Sequence, residues 1–264
     1  MIQQKIKNKY LLNTISICSI SFFLFLWEWF YRSESVISNL FPPPTILLET
    51  LLSTDFKIGI GSQAQTITYS IFSSLSRVYI GLFLGFFLAI IIGGLIFINP
   101  YLNAFFSPII RLLAPIAPIA WIPLALVIFG IGNTTAIFIV FMGVFFTLTI
   151  STTSALNSVP SNRIEMAKGL GANKIQIWRF IIIPSILPHV FFSLRLNFIA
   201  AWMAVLAAEM TGLQDGVGAI LMIGRNLFNY KLIMIGMVLI GILGALSDIL
   251  LSTLQRKLLW WNER

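Results

Sequence analysis

The stretch PSNRIEMAKGLGANKIQIWRFIIIP, residues 160–184, decides how this chain is read. It is a polar, basic interval between two long apolar runs, 135–155 before it and 185–208 after it. Asn162 followed by Glu165 has capping-box spacing and predicts a helix start. Residues 164–170 would make about two turns. Gly169 and Gly171 end or bend that helix, because glycine takes positive φ at little cost. Asn173 starts a second helix with Ile175, Trp178 and Ile182 on one face. Pro184 ends it and opens the next apolar run. The expectation is a short helix–turn–helix at a membrane surface, with one apolar and one basic face. On these residues alone, a linker that merely lies on lipid headgroups is an equal reading.

Outward from this stretch the chain is lipid-soluble in composition. Of 264 residues, 58% are hydrophobic and 10% charged, where a soluble domain carries about 25% charged residues. Runs at 11–31, 71–98, 104–130, 135–155, 185–208 and 232–253 are each long enough to cross about 30 Å of hydrocarbon. The start, with Lys5, Lys7 and Lys9 before an apolar run, resembles a secretion signal. That run continues to Tyr31 without a small-x-small cleavage site, so it is read as an uncleaved first span. The expected organisation is a tail at 1–10, a single all-α transmembrane domain at 11–255 with its loop at 160–184, and a tail at 256–264.

The net charge of +8 is topology information rather than a nucleic-acid signal. With both termini inside, the inner segments carry Lys5, Lys7, Lys9, Arg163, Lys168, Lys174, Arg179, Arg256, Lys257 and Arg264. The outer ones carry only Arg32, Lys57, Arg225 and Lys231. Ten cations against four orient the chain with its termini and the 160–184 loop in the cytoplasm. The outer segment opening at Phe41-Pro-Pro-Pro-Thr45 predicts a short amphipathic helix capped by Thr45. The glycine-rich outer segment 209–231 predicts a turn region. Each is either a connector or a docking surface.

Several chemistries lack their residues. One cysteine, Cys18, and one histidine, His189, provide neither a metal cluster nor a catalytic triad. There is no phosphate-binding G-x-x-x-x-G-K-[ST] loop, so any ATP must be hydrolysed elsewhere. Pro108, Pro115, Pro118 and Pro123 break the third run. They either line a pathway or kink a packed helix. Arg77, Arg111 and Arg195 fall within or at the ends of spans, where a charge should face the bundle or a polar cavity. Glu28, between Trp27 and Trp29, reads as an interfacial anchor, and Asp248 lies near the end of its span. His189 reads as a helix-packing residue. The threonines and serines of the fourth run are expected to bond back to their own helix.

The loop also resembles the cytoplasmic signature of ABC importer permeases. Glu165, Met166, Ala167, Gly171, Ile181, Ile183 and Pro184 fall on its spacing without a gap, with Met166 and Ile183 as apolar departures. Across residues 40–261 the chain resembles the nitrate/sulfonate/taurine permease subfamily. The residues that carry this are Phe41–Thr45, Ser74–Gly81, Pro115–Pro123, Phe129–Gly132, Leu194–Leu196, Ala201-Trp202 and Ala208–Met210. The resemblance implies the type I ABC importer transmembrane fold with six helices in the inner membrane. It also implies no catalysis and no cofactor on this chain, ATP and Mg belonging to a cytoplasmic ATPase dimer. Further implied partners are a second, identical permease and an extracytoplasmic solute-binding protein.

In such a family the loop is a coupling helix. The implied contacts are Glu165, Met166, Ala167 and Leu170, with Gly171 at the turn and Pro184 closing the signature. Glu165 either pairs with a basic group of the partner or caps its own helix. The implied pathway residues are Arg77, Pro115, Pro118, Trp121, Pro123, Arg195 and Trp202. For Arg77 and Arg195 structural pairing is favoured, since the family carries arginine there across different solutes. A small anion such as a sulfonate, taurine, nitrate or bicarbonate is the expected cargo. The competing reading, a secondary transporter or channel, requires inverted repeats and paired intramembrane carboxylates. A membrane-embedded enzyme requires an Asp, His or Cys cluster.

Overall fold

The computed structural model describes residues 2–32, 41–52, 57–58 and 65–260. Its helices are α1 (Ile2–Arg32), α2 (Pro44–Leu52), α3 (Ile67–Ile98), α4 (Pro100–Leu113), α5 (Ile122–Phe129), α6 (Asn133–Asn157), α7 (Ser161–Gly169), α8 (Lys174–Ile177), α9 (Ile183–Glu209), α10 (Val217–Asn226) and α11 (Tyr230–Leu258). A two-residue antiparallel pair, β1 (Lys57–Ile58) with β2 (Gln65–Thr66), sets Lys57 opposite Thr66. Arg264, counted above for orientation, lies outside the described residues, as does most of the segment between α1 and α3.

Residues 68–219 with the described part of 239–264 form one compact unit. Its frame is set by a stripe of small residues on α3: Gly81, Gly85, Ala89 and Gly93, four apart and all buried. Residues four apart share a helix face, and small ones let two helices approach closely in lipid. Here they face Val140, Val144 and Thr152 of α6. A Cβ at Gly81 would stand 2.7 Å from the Val140 Cβ, and one at Gly93 3.0 Å from the Thr152 Cβ. The two numberings rise together, so α3 and α6 run parallel.

That direction settles the third crossing. Helices α4 and α5 are apolar enough to span only as a pair, and they bend by 97° at the break between Leu113 and Pro118. A re-entrant loop would bring α6 back antiparallel to α3. The parallel register requires that 99–132 cross to the other side. The prolines therefore break this span without removing it, and the described residues give six candidate crossings. Pro184, by contrast, does not end a helix as the sequence predicts. The segment Trp178–Ile182 is a π-turn, in which the Ile183 N–H bonds to the Trp178 carbonyl. The wider turn lets one helical run continue from Lys174 to Glu209 past the missing proline donor.

The described parts of 1–67, with 220–238, form a second compact unit. The Glu28 carboxylate joins its first two helices, accepting from Arg32 Nη2 at 3.2 Å and from Thr45 Oγ1 at 3.3 Å. Thr45 therefore sits inside α2 with its hydroxyl turned to Glu28, rather than capping the helix. Phe22, Phe23 and Phe25 of α1 are exposed, as expected where lipid is the solvent.

Candidate functional site

The loop 160–184 forms the short paired helices expected of it, with different caps. α7 starts at Ser161 behind Pro160 and has no side-chain cap, so the predicted Asn162–Glu165 box is not made. Glu165 is exposed and makes no hydrogen bond or ion pair among the described residues. The reciprocal box forms one helix later. Asn173 Oδ1 accepts from the Gln176 N–H, and Gln176 Oε1 accepts from the Asn173 N–H, both at 2.8 Å.

Between the helices, Gly171 has φ +80°. Its N–H reaches the Lys168 carbonyl at 3.0 Å, and the Ala172 N–H reaches the Ala167 carbonyl at 3.0 Å. This is a Schellman turn with glycine at its left-handed position. Gly171, rather than Gly169, is the residue that ends α7.

The loop has a packed side and an open side. Ala167, Ile177 and Ile182 are buried against Leu156 at the end of α6, with Phe97 and Trp178 beside them. Phe97 and Trp178 meet edge to face, ring centroids 6.1 Å apart. The buried face is thus Ile177 and Ile182, while Ile175 is exposed, because the π-turn shifts the register after α8. On the open side Met166 is 69% exposed and Leu170 87% exposed. Of the residues singled out in the sequence, Glu165, Met166, Leu170 and Gly171 lie on the free surface. Ala167 faces its own chain, and Pro184 is half-buried at the start of α9.

At the other end of the same unit, Arg77 is 1% exposed and Glu209 0%. Arg77 Nη1 donates to Glu209 Oε1 at 2.8 Å and to the Asp215 carbonyl at 3.0 Å. Its Nη2 donates to Asp215 Oδ1 at 2.6 Å, and its Nε to Asn133 Oδ1 at 2.7 Å. The Glu209 carboxylate also accepts from Ser74 Oγ at 2.7 Å and the Gly218 N–H at 2.9 Å. Ser74 Oγ in turn accepts from the Val217 N–H at 2.9 Å. A charge removed from water is tolerable only when its bonds are satisfied, and here they are.

The sequence reads 209–231 as an outer turn region, and the structure adds that Glu209, at its start, is buried in this cluster. Gly216 and Gly218 are there for the same reason. A Cβ on either would run into the Glu209 side chain.

The remaining residues are dispersed. Arg195 of α9 makes a bidentate pair with Asp248 of α11, at 2.9 and 2.7 Å. Their side chains are 35% and 45% exposed. Trp121 stacks on Phe146 with centroids 6.4 Å apart, and Trp202 is buried against Phe198. The indole N–H groups of both tryptophans have no acceptor among the described residues. Pro115 and Pro123 are exposed and Pro118 half-buried. His189 is exposed rather than packed within the chain. Thr149 and Thr153 bond back to the carbonyls of Phe145 and Thr149. Among the described residues no three of His, Cys, Asp and Glu group to hold a metal.

Known proteins match both the fold and the sequence. The profile of the family described as binding-protein-dependent transport system inner membrane component matches residues 81–259. The taurine transport system permease protein of Escherichia coli (strain K12) is 30% identical over 250 residues, 94% of this chain and 90% of its own. The bicarbonate transport system permease protein of Synechococcus elongatus is 30% identical over 243 residues, covering 90% and 86%. The nitrate import permease protein of the same organism is 34% identical over 158 residues, covering 60% and 57%. Among solved structures, an inward-facing form of the MetNI methionine ABC transporter superposes with a TM-score of 0.62 at 23% identity. That superposition covers 72% of this chain and 95% of the other. The chain belongs to the binding-protein-dependent transport system inner membrane component family and is a noncatalytic, multi-pass permease subunit of an ABC transporter.

Proposed function

We propose that this permease carries a small oxyanion inward and is driven through the 160–184 loop by a cytoplasmic ATPase dimer that uses ATP and Mg. The observation that carries the reading is the open side of α7. Met166 and Leu170, one helical turn apart, stand exposed beside the unpaired Glu165, while Ala167 and Ile177 hold the helix against α6. A water-facing apolar pair on a braced helix fits a docking element better than a lipid-surface linker. Its place on the cytoplasmic side follows from the clustering of Lys and Arg.

In this reading the chain is one domain, 11–255, with short cytoplasmic tails, and it pairs with an identical copy. An extracytoplasmic binding protein delivers the solute to the opposite face. Taurine, nitrate and bicarbonate, which the relatives are named for, are small and carry an anionic oxygen group. Of the expected pathway residues, Pro115, Pro118, Trp121, Pro123, Arg195 and Trp202 remain candidates for the lining, and Arg77 acts as a strut. The test is uptake into proteoliposomes holding permease, ATPase and binding protein. Uptake should stop with vanadate and with Glu165→Lys. Vanadate-insensitive uptake would refute ATP coupling, and full activity of Glu165→Lys would refute the docking surface.

A further inference from the structure

A cavity of about 290 Å³ lies between the ends of α3 and α6 and the length of α4, within one compact unit. Cavities that hold small molecules begin near ~300 Å³, so this one suits a small ligand. Its polar lining comes from two helices. α4 contributes Ser107 and Arg111, and α6 contributes Thr149, Thr153, Ser154 and Asn157. Three of these are occupied internally. Ser107 donates to Asn103, and the two threonines bond to carbonyls of their own helix. The other three, Arg111, Ser154 and Asn157, have no side-chain hydrogen bond or ion pair among the described residues. No carboxylate lines the cavity.

The contrast with the other intramembrane arginines is informative. Arg77 and Arg195 each hold a carboxylate within 3 Å. Arg111, exposed in the last turn of α4, where the helix dipole favours a cation, has no counter-charge among the described residues. A guanidinium in a spanning segment without a counter-ion is costly. One that faces a cavity beside a free hydroxyl and a free amide is arranged for an incoming anion.

We infer that the α3–α4–α6 cavity is an oxyanion site, with the Arg111 guanidinium as the charge-bearing donor and Ser154 and Asn157 as its neutral partners. The chemistry it recognises is a singly charged oxygen head of a few atoms, such as a sulfonate or a phosphodiester. The source is either the transported solute or the headgroup of an anionic lipid. The solute assignment rests on the transport reading above, while the site itself does not.

The test uses the permease–ATPase complex in phosphatidylcholine nanodiscs, titrated with radiolabelled methanesulfonate. A parallel preparation in mixed phosphatidylglycerol is analysed by native mass spectrometry for retained lipid. Arg111→Gln should weaken methanesulfonate binding at least about tenfold, the loss of one charge-assisted contact. Ser154→Ala and Asn157→Ala should weaken it a few-fold each, and these mild variants guard against a folding defect in the first. Phosphatidylglycerol retained by the native chain and lost in Arg111→Gln, without methanesulfonate binding, supports the site with lipid as its source. Equal binding of both probes by native chain and Arg111→Gln, or binding of neither, overturns it. ATP-driven uptake is assayed on the same complexes. Uptake that ignores ATP refutes the transport reading whatever Arg111→Gln does to binding.

Discussion

Arg77 and Glu209 stand 2.8 Å apart with both side chains buried, and each is held by at least two further partners. The pair ties α3 to the last residue of α9, with Asn133 and Asp215 drawn in from the start of α6 and the loop beyond α9. Deleting one partner of a buried ion pair costs about 3–5 kcal/mol, because the other charge is left buried. Arg77→Met should lower the thermal midpoint of the detergent-solubilised permease by on the order of 10 °C. Glu209→Gln keeps the shape and should cost less. Arg77→Lys should fall between, since an ammonium cannot reach three separate acceptors as a planar fork does. A native midpoint for Arg77→Met would show that the network contributes nothing.

Gly216 is a second handle on the same cluster. Its φ of +106° lies in the region closed to most side chains, and an added Cβ would strike the Glu209 carboxylate. Gly216→Ala should therefore destabilise by about 1–3 kcal/mol, the range for a clash in a packed core. Gly169→Ala is the control, since nothing lies within 4 Å of that position and its backbone is helical. Equal unfolding midpoints for the two variants would contradict the geometry.

How far sequence reached is clearest at these residues. The apolar runs announced the crossings, since hydrocarbon thickness leaves few lengths to choose from. The signature glycine announced the turn at Gly171. Burial of Glu209 was not legible. It lies in a glycine-rich segment that reads as a solvated turn, and only the folded path of 210–218 brings it to Arg77 and Ser74. The stripe Gly81, Gly85, Ala89, Gly93 could have been found, because its four-residue spacing is visible in the chain. The shift from Ile175 to Ile177 as the packed residue could not, because a π-turn leaves no fixed pattern.

That stripe gives a third prediction. Gly81→Leu or Gly85→Leu would force α3 off α6, where a single Cβ already meets Val140 or Val144. Folded yield should fall several-fold, and overpacking of this kind costs about 1–3 kcal/mol or more. Gly94→Leu, with nothing within 4 Å, should be tolerated. Yields measured by size-exclusion chromatography in detergent decide it, and a loss for Gly94→Leu equal to the others would count against close α3–α6 packing.

Arg195 and Asp248 form a pair that this chain leaves partly uncovered. Arg195 lies about 18 Å from the start of α9 and about 21 Å from its end at 1.5 Å per residue. An open ion pair at that depth is costly against lipid tails, so the pair is expected to face a polar cavity or another protein surface. Asp248→Asn should reduce the yield of folded protein several-fold. The exchange Arg195→Asp with Asp248→Arg should recover part of it. Failure of the exchange alongside full tolerance of the single variant would remove the pair from any structural role.

The loop separates the proposed docking role from folding, because one of its sides is exposed and the other packed. Met166 and Leu170 project from α7 with little of their own chain to touch, so Leu170→Asp should leave the thermal midpoint within about 1 °C, as surface changes usually do. In the docking reading proposed above, the same substitution would set a carboxylate against an apolar partner surface. An unpaired buried charge costs several kcal/mol, so co-purification with the ATPase should fall by at least tenfold. Ala167 predicts the reverse order of effects. Ala167→Leu must push α7 away from Leu156 and Ile177, lowering stability first and coupling only as a consequence. Pull-down and thermal shift measured on both variants give a two-by-two comparison. If Leu170→Asp lowers stability as much as Ala167→Leu does, or binds ATPase as well as the native loop, then α7 is a structural linker and the force must enter elsewhere.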